Sequence, residues 1–273
     1  MSFRKIVNAG IIMKRREGSA VDLGLKGKRV IIPASTKGIL RRVVDQLVDE
    51  GCDVAICSRS EDTVARALRE LSGGKGTAIG RACDVNDKED YEAWLEEMAE
   101  QLGGVDIFIP GVSAGGGADS ERNWWKSFEV DVLSTVRGCE VLLPHMKECG
   151  GGAITFITTT ASVETFGGPQ AYNAMKGSLL VYAKQLSQEV GRDGIRVNCV
   201  SPGPIYFEGG VWQMLKDTMA KWFAKVEKDH PSGRLGTPEE VSNCVLFISS
   251  PAASWVSGTN LIVDGGFTKR VQF

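Results

Sequence analysis

Two ionisable side chains, Tyr172 and Lys176, lie four residues apart, so that on a helix both would face the same side. A phenol normally titrates near pH ~10, and a neighbouring ammonium would lower its pKa toward the working pH. Such a phenol can give a proton to a carbonyl oxygen or take one from an alcohol. Thr159 lies 13 residues upstream, and its hydroxyl could donate a hydrogen bond to the same substrate oxygen. A Tyr-x-x-x-Lys spacing also arises by chance; its place after the fifth predicted strand favours acid–base chemistry.

The turn at residues 33–40, between the first predicted strand and the first predicted helix, has features of a phosphate site. It leads into a helix N-terminus, where free amides and the helix dipole attract a pyrophosphate. Its sequence is Pro-Ala-Ser-Thr-Lys-Gly-Ile-Leu, in which Gly38 is the single glycine. Dinucleotide-binding turns normally carry more glycines, so this turn alone is a weak signal.

Basic residues at two turns strengthen that signal. Ser58 and Arg59 follow the second predicted strand, 20 and 21 residues after Gly38. An acidic residue here would bind a ribose diol and select NAD, whereas arginine pairs with a 2′-phosphate and selects NADP. Lys37 could supply a second positive charge from the facing turn. The alternative is a solvated arginine without a ligand, and the two basic residues together favour NADP(H).

The hydrophobic pattern alternates strand-like runs with helical stretches, and it predicts the elements that position these residues. The predicted strands are Arg29–Pro33, Asp53–Cys57, Thr77–Cys83, Ile107–Ile109, Ala153–Thr158, Arg196–Val200 and Leu261–Val263. Two long helices are predicted from about Trp124 to Met146, where Pro144 could introduce a kink, and from Ala171 to Val190. Strands that alternate with helices form right-handed βαβ units. We therefore expect an α/β fold, a doubly wound parallel seven-stranded sheet (Rossmann fold) in a single domain, with its ligand at the carboxyl ends of the strands.

Length and composition agree with one α/β domain and argue against several other classes of protein. The chain has 273 residues, of which 24% are charged, and a net charge of −2. Bulk electrostatic binding of nucleic acid is not expected at this charge, and no apolar run approaches the ~20 residues of a membrane helix. Seven scattered cysteines without a Cys-x-x-Cys pair favour reduced thiols in a cytoplasmic protein and argue against a metal site. The 33 glycines predict many tight turns.

The first 26 residues, Met1–Lys26, differ in charge from the rest of the chain. They carry six basic and two acidic residues, a net charge of +4. We interpret them as an N-terminal arm, solvated or at a subunit contact, in front of a domain at residues 27–273. The segment lacks the cleavage site of a secretory signal, while its basic residues leave a mitochondrial presequence open as an alternative.

Short motifs are spread over about residues 26–267. They are Tyr172-Asn173-Ala174-Met175-Lys176, Arg196-Val197-Asn198, Ser201-Pro202-Gly203, the stretch 233–240 (Gly-Arg-Leu-Gly-Thr-Pro-Glu-Glu), Ser257-Gly258 and Val263-Asp264-Gly265-Gly266. This set resembles the classical short-chain dehydrogenase/reductase family, in particular its 3-oxoacyl-[acyl-carrier-protein] reductase branch. Asp84-Val85 is similar to the family's pair that contacts adenine after the third strand.

The resemblance implies an enzyme that uses a nicotinamide cofactor to interconvert CH–OH and C=O groups. It assigns the acid/base role to Tyr172, contact with the nicotinamide ribose and a lowering of the Tyr172 pKa to Lys176, and the place of the catalytic serine to Thr159. The expected cofactor-binding residues are Ser35, Thr36, Lys37, Gly38, Ile39, Ser58, Arg59, Asp84, Val85, Gly111, Val112, Tyr172, Lys176, Pro202, Gly203 and Ile205. The resemblance also implies a homo-oligomer, a tetramer or dimer built on the two long helices.

The sequence departs from the family pattern around the cofactor. Ala34 and Leu40 replace the first and third glycines of the first turn, and Leu40 must fit where helix and strand normally meet closely. The stretch 110–113 replaces Asn-Asn-Ala-Gly, and Phe207 replaces a threonine that commonly touches the carboxamide. Asp131, which we include among the catalytic residues, replaces an asparagine that supports a water near the lysine, and an ionised carboxylate cannot donate a hydrogen bond. We expect a rearranged pyrophosphate turn rather than loss of cofactor binding.

Residues 205–231 are rich in aromatic and long apolar side chains. These are Tyr206, Phe207, Trp212, Met214, Leu215, Met219, Trp222 and Phe223. One interpretation is a lid over an apolar or aromatic substrate, as in the family; the other is ordinary packing or a subunit contact. The leading hypothesis is an NADP(H)-dependent oxidoreductase that acts on a small-molecule carbonyl or secondary alcohol. The alternative is a catalytically impaired member of the family that binds nucleotide or serves as a scaffolding subunit.

Overall fold

Seven parallel strands, separated along the chain by helices, form the protein in a computed structural model that describes residues 22–117, 119–166 and 168–271. The strands are β1 (Arg29–Ile32), β2 (Asp53–Ser58), β3 (Ala78–Ala82), β4 (Ile107–Phe108), β5 (Gly152–Ile157), β6 (Ile195–Pro202) and β7 (Asn260–Val263). They form one sheet in the order β3-β2-β1-β4-β5-β6-β7, with every neighbouring pair parallel. The predicted doubly wound sheet is confirmed. Its strand order reverses between β1 and β4, the position at which such sheets bind ligands.

The helices cover both faces of this sheet. They are α1 (Gly38–Asp49), α2 (Glu61–Leu71), α3 (Lys88–Leu102), α4 (Glu121–Ser127), α5 (Ser134–Glu148), α6 (Ala171–Glu189), α7 (Val211–Thr218), α8 (Ala220–Asp229) and α9 (Pro238–Ser249). The helix predicted from about Trp124 to Met146 is not one continuous α-helix, because a π-helical turn at Phe128–Leu133 joins α4 to α5. Such turns are frequent at functional sites.

Side-chain caps determine where several helices begin. Ser60, Asp87, Ser120 and Thr237 each accept a hydrogen bond from a backbone amide in the first turn of α2, α3, α4 and α9, respectively. Helix α1 differs, because its N-cap residue Lys37 makes no such bond and its first turn holds no acidic side chain. Side chains therefore leave the N-terminal amides of α1 available to a ligand.

Two apolar cores lie on opposite faces of the sheet. Tyr91 of α3, Leu142 of α5 and Leu179 of α6 pack in one core. Val44 of α1 and Val245 of α9 pack in the other. Because helices bury the sheet on both faces, a ligand can approach only at the ends of the strands.

The last residues of the N-terminal segment pack against the domain. Leu25 is buried in the core under α1, and the Gly27 amide donates to the Gly51 carbonyl oxygen at 2.8 Å. The rest of the predicted arm, residues 1–21, lies outside the described residues. Within the described residues, no helix is long and apolar enough to cross a bilayer. The seven cysteines are free thiols, five of them buried.

Candidate active site

The carboxyl ends of β4 and β5 bring the predicted catalytic side chains together. Thr159 follows β5, and Tyr172 lies in the first turn of α6, one turn before Lys176. Asp131 lies in the π-helical turn, which packs against α6. The four predicted catalytic residues thus meet at the switch point of the sheet.

The ammonium of Lys176 is buried among three acceptors. Its Nζ donates to the carbonyl oxygens of Val112 at 2.8 Å and Ile157 at 3.1 Å, and it lies 3.4 Å from Oδ1 of Asp131. Burial lowers the pKa of Lys176, while Asp131 opposes that change. Because the two carbonyls follow β4 and end β5, this lysine also ties the two strands together.

Asp131 is fully buried, with 0% of its surface exposed. Oδ1 also accepts the Ala114 amide at 3.3 Å, whereas Oδ2 has no hydrogen-bond partner within the described ranges. Burial raises the Asp131 pKa, and Lys176 acts against that effect. An asparagine would place a neutral amide here; the aspartate adds a negative charge inside the site.

The hydroxyls of Thr159 and Ser113 lie near the Tyr172 phenol, where hydrogen bonding from each lowers its pKa. Burial and the charge of Asp131 have larger effects in the opposite direction and raise the Tyr172 pKa to about 12. The prediction that Lys176 lowers this pKa is therefore wrong for this structure. The physical reason is that carbonyls and a carboxylate engage the ammonium, while the charge of Asp131 disfavours the phenolate.

Ser113 belongs to the site although it was not among the predicted residues. Its Oγ accepts the Gly115 amide at 3.0 Å, and Oγ1 of Thr159 accepts the Ala161 amide at 3.2 Å. Each hydroxyl therefore keeps its own hydrogen to donate to Tyr172 or to a substrate oxygen. The sequence feature that could have identified Ser113 is a hydroxyl residue shortly after β4, the strand beside β5.

The first βα turn is rearranged around Ala34. Ala34 has a φ of 53°, in the left-handed region that favours glycine, and its amide donates to Sγ of Cys57 at 3.4 Å. The buried hydroxyl of Ser35 donates to the Ile32 carbonyl oxygen at 2.7 Å. That hydroxyl therefore holds the turn, whereas Thr36 is half-buried and Lys37 is exposed.

Leu40 fits into the turn because the residue that faces it, Gly111, has no side chain. A Cβ built on Gly111 would lie 2.9 Å from both methyl carbons of Leu40, closer than such atoms approach in real structures. The buried leucine of α1 thus fills the space left by the missing side chain of Gly111 after β4. The crowding predicted at Leu40 is avoided by this exchange of positions.

The ring of Phe207 lies against the N-terminus of α1. A Cβ on Gly38 would lie 2.8 Å from its Cζ and 2.9 Å from its Cε2. Gly38 has a φ of +64°, and Ile39 follows it in the first turn of the helix. The uncapped amides suit a pyrophosphate, while the ring restricts the approach to Gly38.

The expected adenosine end lies beyond β2 and β3. Ser58 ends β2, and the exposed Arg59 follows it. Neither Arg59 nor Lys37 forms an ion pair within the described part of the chain, so the side chain of each is available to pair with a phosphate group. Oδ1 of Asp84 accepts the Asn86 backbone amide and side-chain amide, both at 3.1 Å, and Val85 is buried.

Pro202, Gly203 and Ile205 lie at the end of β6, close to the end of β7. A Cβ on Gly203 would lie 2.6 Å from Cβ of Asp264, so the two chain segments need a glycine to approach this closely. Ile205 forms an isolated parallel bridge with Gly236. These contacts fix the start of the segment 205–231.

The segment 205–231 packs as a small aromatic cluster. The rings of Trp212 and Trp222 stack at 5.5 Å, and Phe223 is buried beneath Trp212 and Tyr206. Its end is held by His230, which stacks on Phe267 with ring centroids 5.4 Å apart. Aromatic side chains therefore contact one another and give the segment its own packing.

A cavity of about 620 Å³ lies at the amino ends of the strands, away from the catalytic residues, near Asp106, Gly151 and Arg196. It contains none of the predicted site residues. A smaller polar cavity lies beside Tyr172, between Ala114 and Lys126. No group of three or more His, Cys, Asp or Glu within the described residues could hold a metal ion.

Fold and site together define an α/β oxidoreductase that binds a dinucleotide. The family model described as enoyl-(acyl carrier protein) reductase matches residues 33–268, and the chain belongs to the short-chain dehydrogenase/reductase family. The predicted family is thereby confirmed.

Relatives support the same class. Isoepoxydon dehydrogenase patN of Penicillium expansum is 34% identical over 256 residues, which cover 92% of this chain and 98% of the relative. L-sorbose reductase of Gluconobacter frateurii, solved with NADPH and L-sorbose, has a TM-score of 0.84 at 29% identity over 92% of this chain and 100% of that one. A 7α-hydroxysteroid dehydrogenase solved with NADH and 7-oxo glycochenodeoxycholic acid has a TM-score of 0.83 at 27% identity, over 93% and 100% of the chains.

Proposed function

We propose that the protein is an NADP(H)-dependent oxidoreductase that transfers hydride between the nicotinamide and an apolar or aromatic carbonyl or secondary alcohol substrate. The observation that carries this proposal is the group formed by Tyr172, Thr159, Ser113 and the buried Lys176 at the switch point of the sheet. It combines a protonated phenol, two hydroxyl donors and a cation.

In the reductive direction, Tyr172 acts as the acid. Its pKa of about 12 keeps the phenol protonated at neutral pH. The hydroxyls of Thr159 and Ser113 orient the substrate oxygen and stabilise the negative charge that develops on it, and Tyr172 then donates its proton to that oxygen. Bound NADPH would supply the hydride that reduces the carbonyl carbon. The charge of Asp131 disfavours the phenolate that remains after this transfer.

The preference for NADP(H) rests on Arg59 and Lys37. Both are exposed near the carboxyl ends of β1 and β2, and both are free to pair with a 2′-phosphate. The sorbose reductase neighbour was solved with NADPH and the hydroxysteroid dehydrogenase neighbour with NADH, so the arginine decides between the two cofactors in this proposal. Arg59→Ala should weaken NADPH binding about tenfold, as expected for a lost charge-assisted contact, and leave NADH binding unchanged.

The substrate class rests on the segment 205–231. Its cluster of Tyr206, Trp212 and Phe223 lies after β6, on the edge of the sheet that carries Tyr172. Apolar or aromatic substrates would pack on such a surface. We further propose a cytoplasmic location, which the seven free thiols favour, and a homo-oligomer formed through α5 and α6.

The test measures nucleotide binding and turnover separately. NADPH and NADH are titrated by fluorescence, and carbonyls and alcohols are then screened by absorbance with Tyr172→Phe as the control. The proposal expects tighter NADPH binding and turnover that the control loses. Turnover that persists unchanged in Tyr172→Phe would overturn the mechanism, and tighter NADH binding would overturn the cofactor preference.

Two features favour the alternative of a nucleotide-binding subunit with impaired turnover. The Phe207 ring restricts access to Gly38, and Asp131 holds a negative charge beside Tyr172. The same experiment distinguishes this alternative, because it expects NADPH binding without turnover of any compound in the panel.

A further inference from the structure

Phe207 is wedged between two glycines that belong to different parts of the fold. Gly38 is the first residue of α1, and Gly210 is the residue before α7. A Cβ on Gly210 would lie 2.9 Å from Cε2 and Cζ of the ring, the same two atoms that face Gly38. Only glycine leaves room for the ring at each of these positions.

The ring lies where it can control access to the N-terminus of α1. Within the described residues, the N-cap residue Lys37 makes no side-chain cap bond and the first turn of α1 holds no acidic residue, so the amides of this turn can bind a phosphate. A phenyl ring has no hydrogen-bond donor to offer that phosphate. A pyrophosphate that approaches Gly38 from this side must therefore displace the ring.

The ring is also attached to the segment over the substrate side. The amide of its neighbour Tyr206 donates to the Gly236 carbonyl oxygen at 2.8 Å, and the Tyr206 ring contacts Phe223 edge to face at 6.2 Å. Because these contacts hold the backbone beside Phe207, rotation of its side chain is a smaller change than movement of the whole segment.

We propose that Phe207 is a gate on the cofactor site, whose ring covers Gly38 in one conformation and leaves it when NADP(H) binds. This inference rests on the proposed function, because it assumes that the turn at 33–38 receives the cofactor pyrophosphate. A ligand that binds only the open conformation loses apparent affinity in proportion to the fraction of molecules that are closed. The ring thus sets both the affinity and the rate of cofactor binding.

The experiment compares Phe207→Ala with the unchanged protein, using two probes. NADPH contains the pyrophosphate, whereas adenosine 2′-monophosphate carries adenine, ribose and 2′-phosphate without one. We expect the substitution to tighten NADPH binding about tenfold or more and to leave the affinity for adenosine 2′-monophosphate unchanged. In stopped-flow fluorescence, the unchanged protein should show a binding rate that saturates with NADPH concentration, and the variant should lose this limit.

Two further variants keep the gate falsifiable. Phe207→Leu retains an apolar side chain and a folded segment, and it should give an intermediate affinity for NADPH. Trp212→Ala loosens the aromatic cluster without touching Gly38, and it should not tighten NADPH binding. Equal tightening in Trp212→Ala would assign the effect to loosening of the segment and overturn the gate.

The outcomes also separate the gate from the proposed function. If the unchanged protein and Phe207→Ala bind NADPH with the same affinity and rate, the gate is wrong and the proposed function stands. If neither the unchanged protein nor Phe207→Ala binds NADPH or adenosine 2′-monophosphate, the proposed NADP(H) function is wrong, and the proposed gate is wrong with it.

Discussion

At the scale of single residues, burial and the charge at position 131 together raise the pKa of the active-site phenol. Burial, and after it the charge of Asp131, bring the Tyr172 pKa to about 12, although Lys176 lies on the same helix face. A high pKa favours a phenol that donates its proton, which suits the reduction of a carbonyl. It hinders the oxidation of an alcohol, because that reaction needs the phenolate as a base.

Asp131→Asn should therefore lower the Tyr172 pKa. The substitution removes a negative charge that disfavours the phenolate, so the pKa should fall by about one pH unit or more, equivalent to ~1.4 kcal/mol. Phenolate absorbance measured against pH gives the value after the titration of Tyr172→Phe is subtracted. Alcohol oxidation should then begin to rise at a lower pH than in the unchanged protein.

The matched control for this charge change is Asp62→Asn, an exposed position in the first turn of α2. It should leave the Tyr172 titration unchanged. An unchanged titration in Asp131→Asn would mean that Asp131 carries no charge in the folded protein, which would contradict the explanation given for the high pKa.

Backbone strain in the cofactor turn gives a second prediction at this scale. Ala34 adopts a φ of 53°, which costs an L-residue about 1–2 kcal/mol and costs glycine almost nothing. Ala34→Gly should raise the free energy of unfolding by about 1 kcal/mol, after allowance for the greater freedom of glycine in the unfolded chain. The measurement is the denaturant midpoint at constant slope.

Ala55→Gly is the control, because Ala55 lies buried in the middle of β2. Glycine there should destabilise the protein, since the strand loses packing and gains no relief from strain. If both substitutions destabilise to a similar extent, Ala34 is not strained in solution.

At the scale of elements, α1 and the loop after β4 are matched to each other through Leu40 and Gly111. The family resemblance implies a glycine at position 40; this chain has a leucine there and a glycine at position 111 in the loop. Gly111→Ala should destabilise the protein by about 1–3 kcal/mol, because its Cβ would crowd the Leu40 methyl carbons.

A double-mutant cycle tests whether the two positions are coupled. Leu40→Ala by itself should also destabilise, because it removes buried volume. The double variant should lose less free energy of unfolding than the two single variants lose together, and the difference, the coupling energy, should be about 0.5–3 kcal/mol. Additive costs would show that the two elements accommodate their side chains independently.

The motif at 233–240 helped to identify the family, but the sequence match did not show what its residues do. Thr237 and Glu240 form a reciprocal capping box at the start of α9, and Arg234 donates to both carboxylate oxygens of Glu240. These contacts lower the pKa of Glu240 to about 2. The motif that identified the family therefore has a structural role in fixing α9.

At the scale of the whole molecule, the alternation of strands and helices was sufficient to predict the sheet, since the periodicity of each element is local. The π-helical turn around Asp131 could not be predicted, because it depends on packing against α6. The direction of the Tyr172 pKa change and the role of Ser113 depend on three-dimensional distances. The exchange between Leu40 and Gly111 links residues that are 71 positions apart in the chain.

The proposed cofactor would span both halves of the sheet, from β3 to the end of β6, so its binding should stabilise the whole domain. A ligand present at 100 times its dissociation constant adds about 2.7 kcal/mol to the free energy of unfolding. For a domain of this size that corresponds to a rise in melting temperature of roughly 5–10 °C. Calorimetry with NADPH should show this rise in a single transition, because both cores share the sheet.

NADH and Arg59→Ala provide the comparison. At equal concentration NADH should raise the melting temperature less than NADPH does, and Arg59→Ala should remove most of that difference. Tyr172→Phe should keep most of the NADPH effect and the difference between NADPH and NADH, since its hydroxyl faces Thr159 and Ser113 and not the adenosine end. Equal rises with both nucleotides would contradict the role of Arg59, and a rise confined to one of two separate transitions would contradict the single cooperative domain.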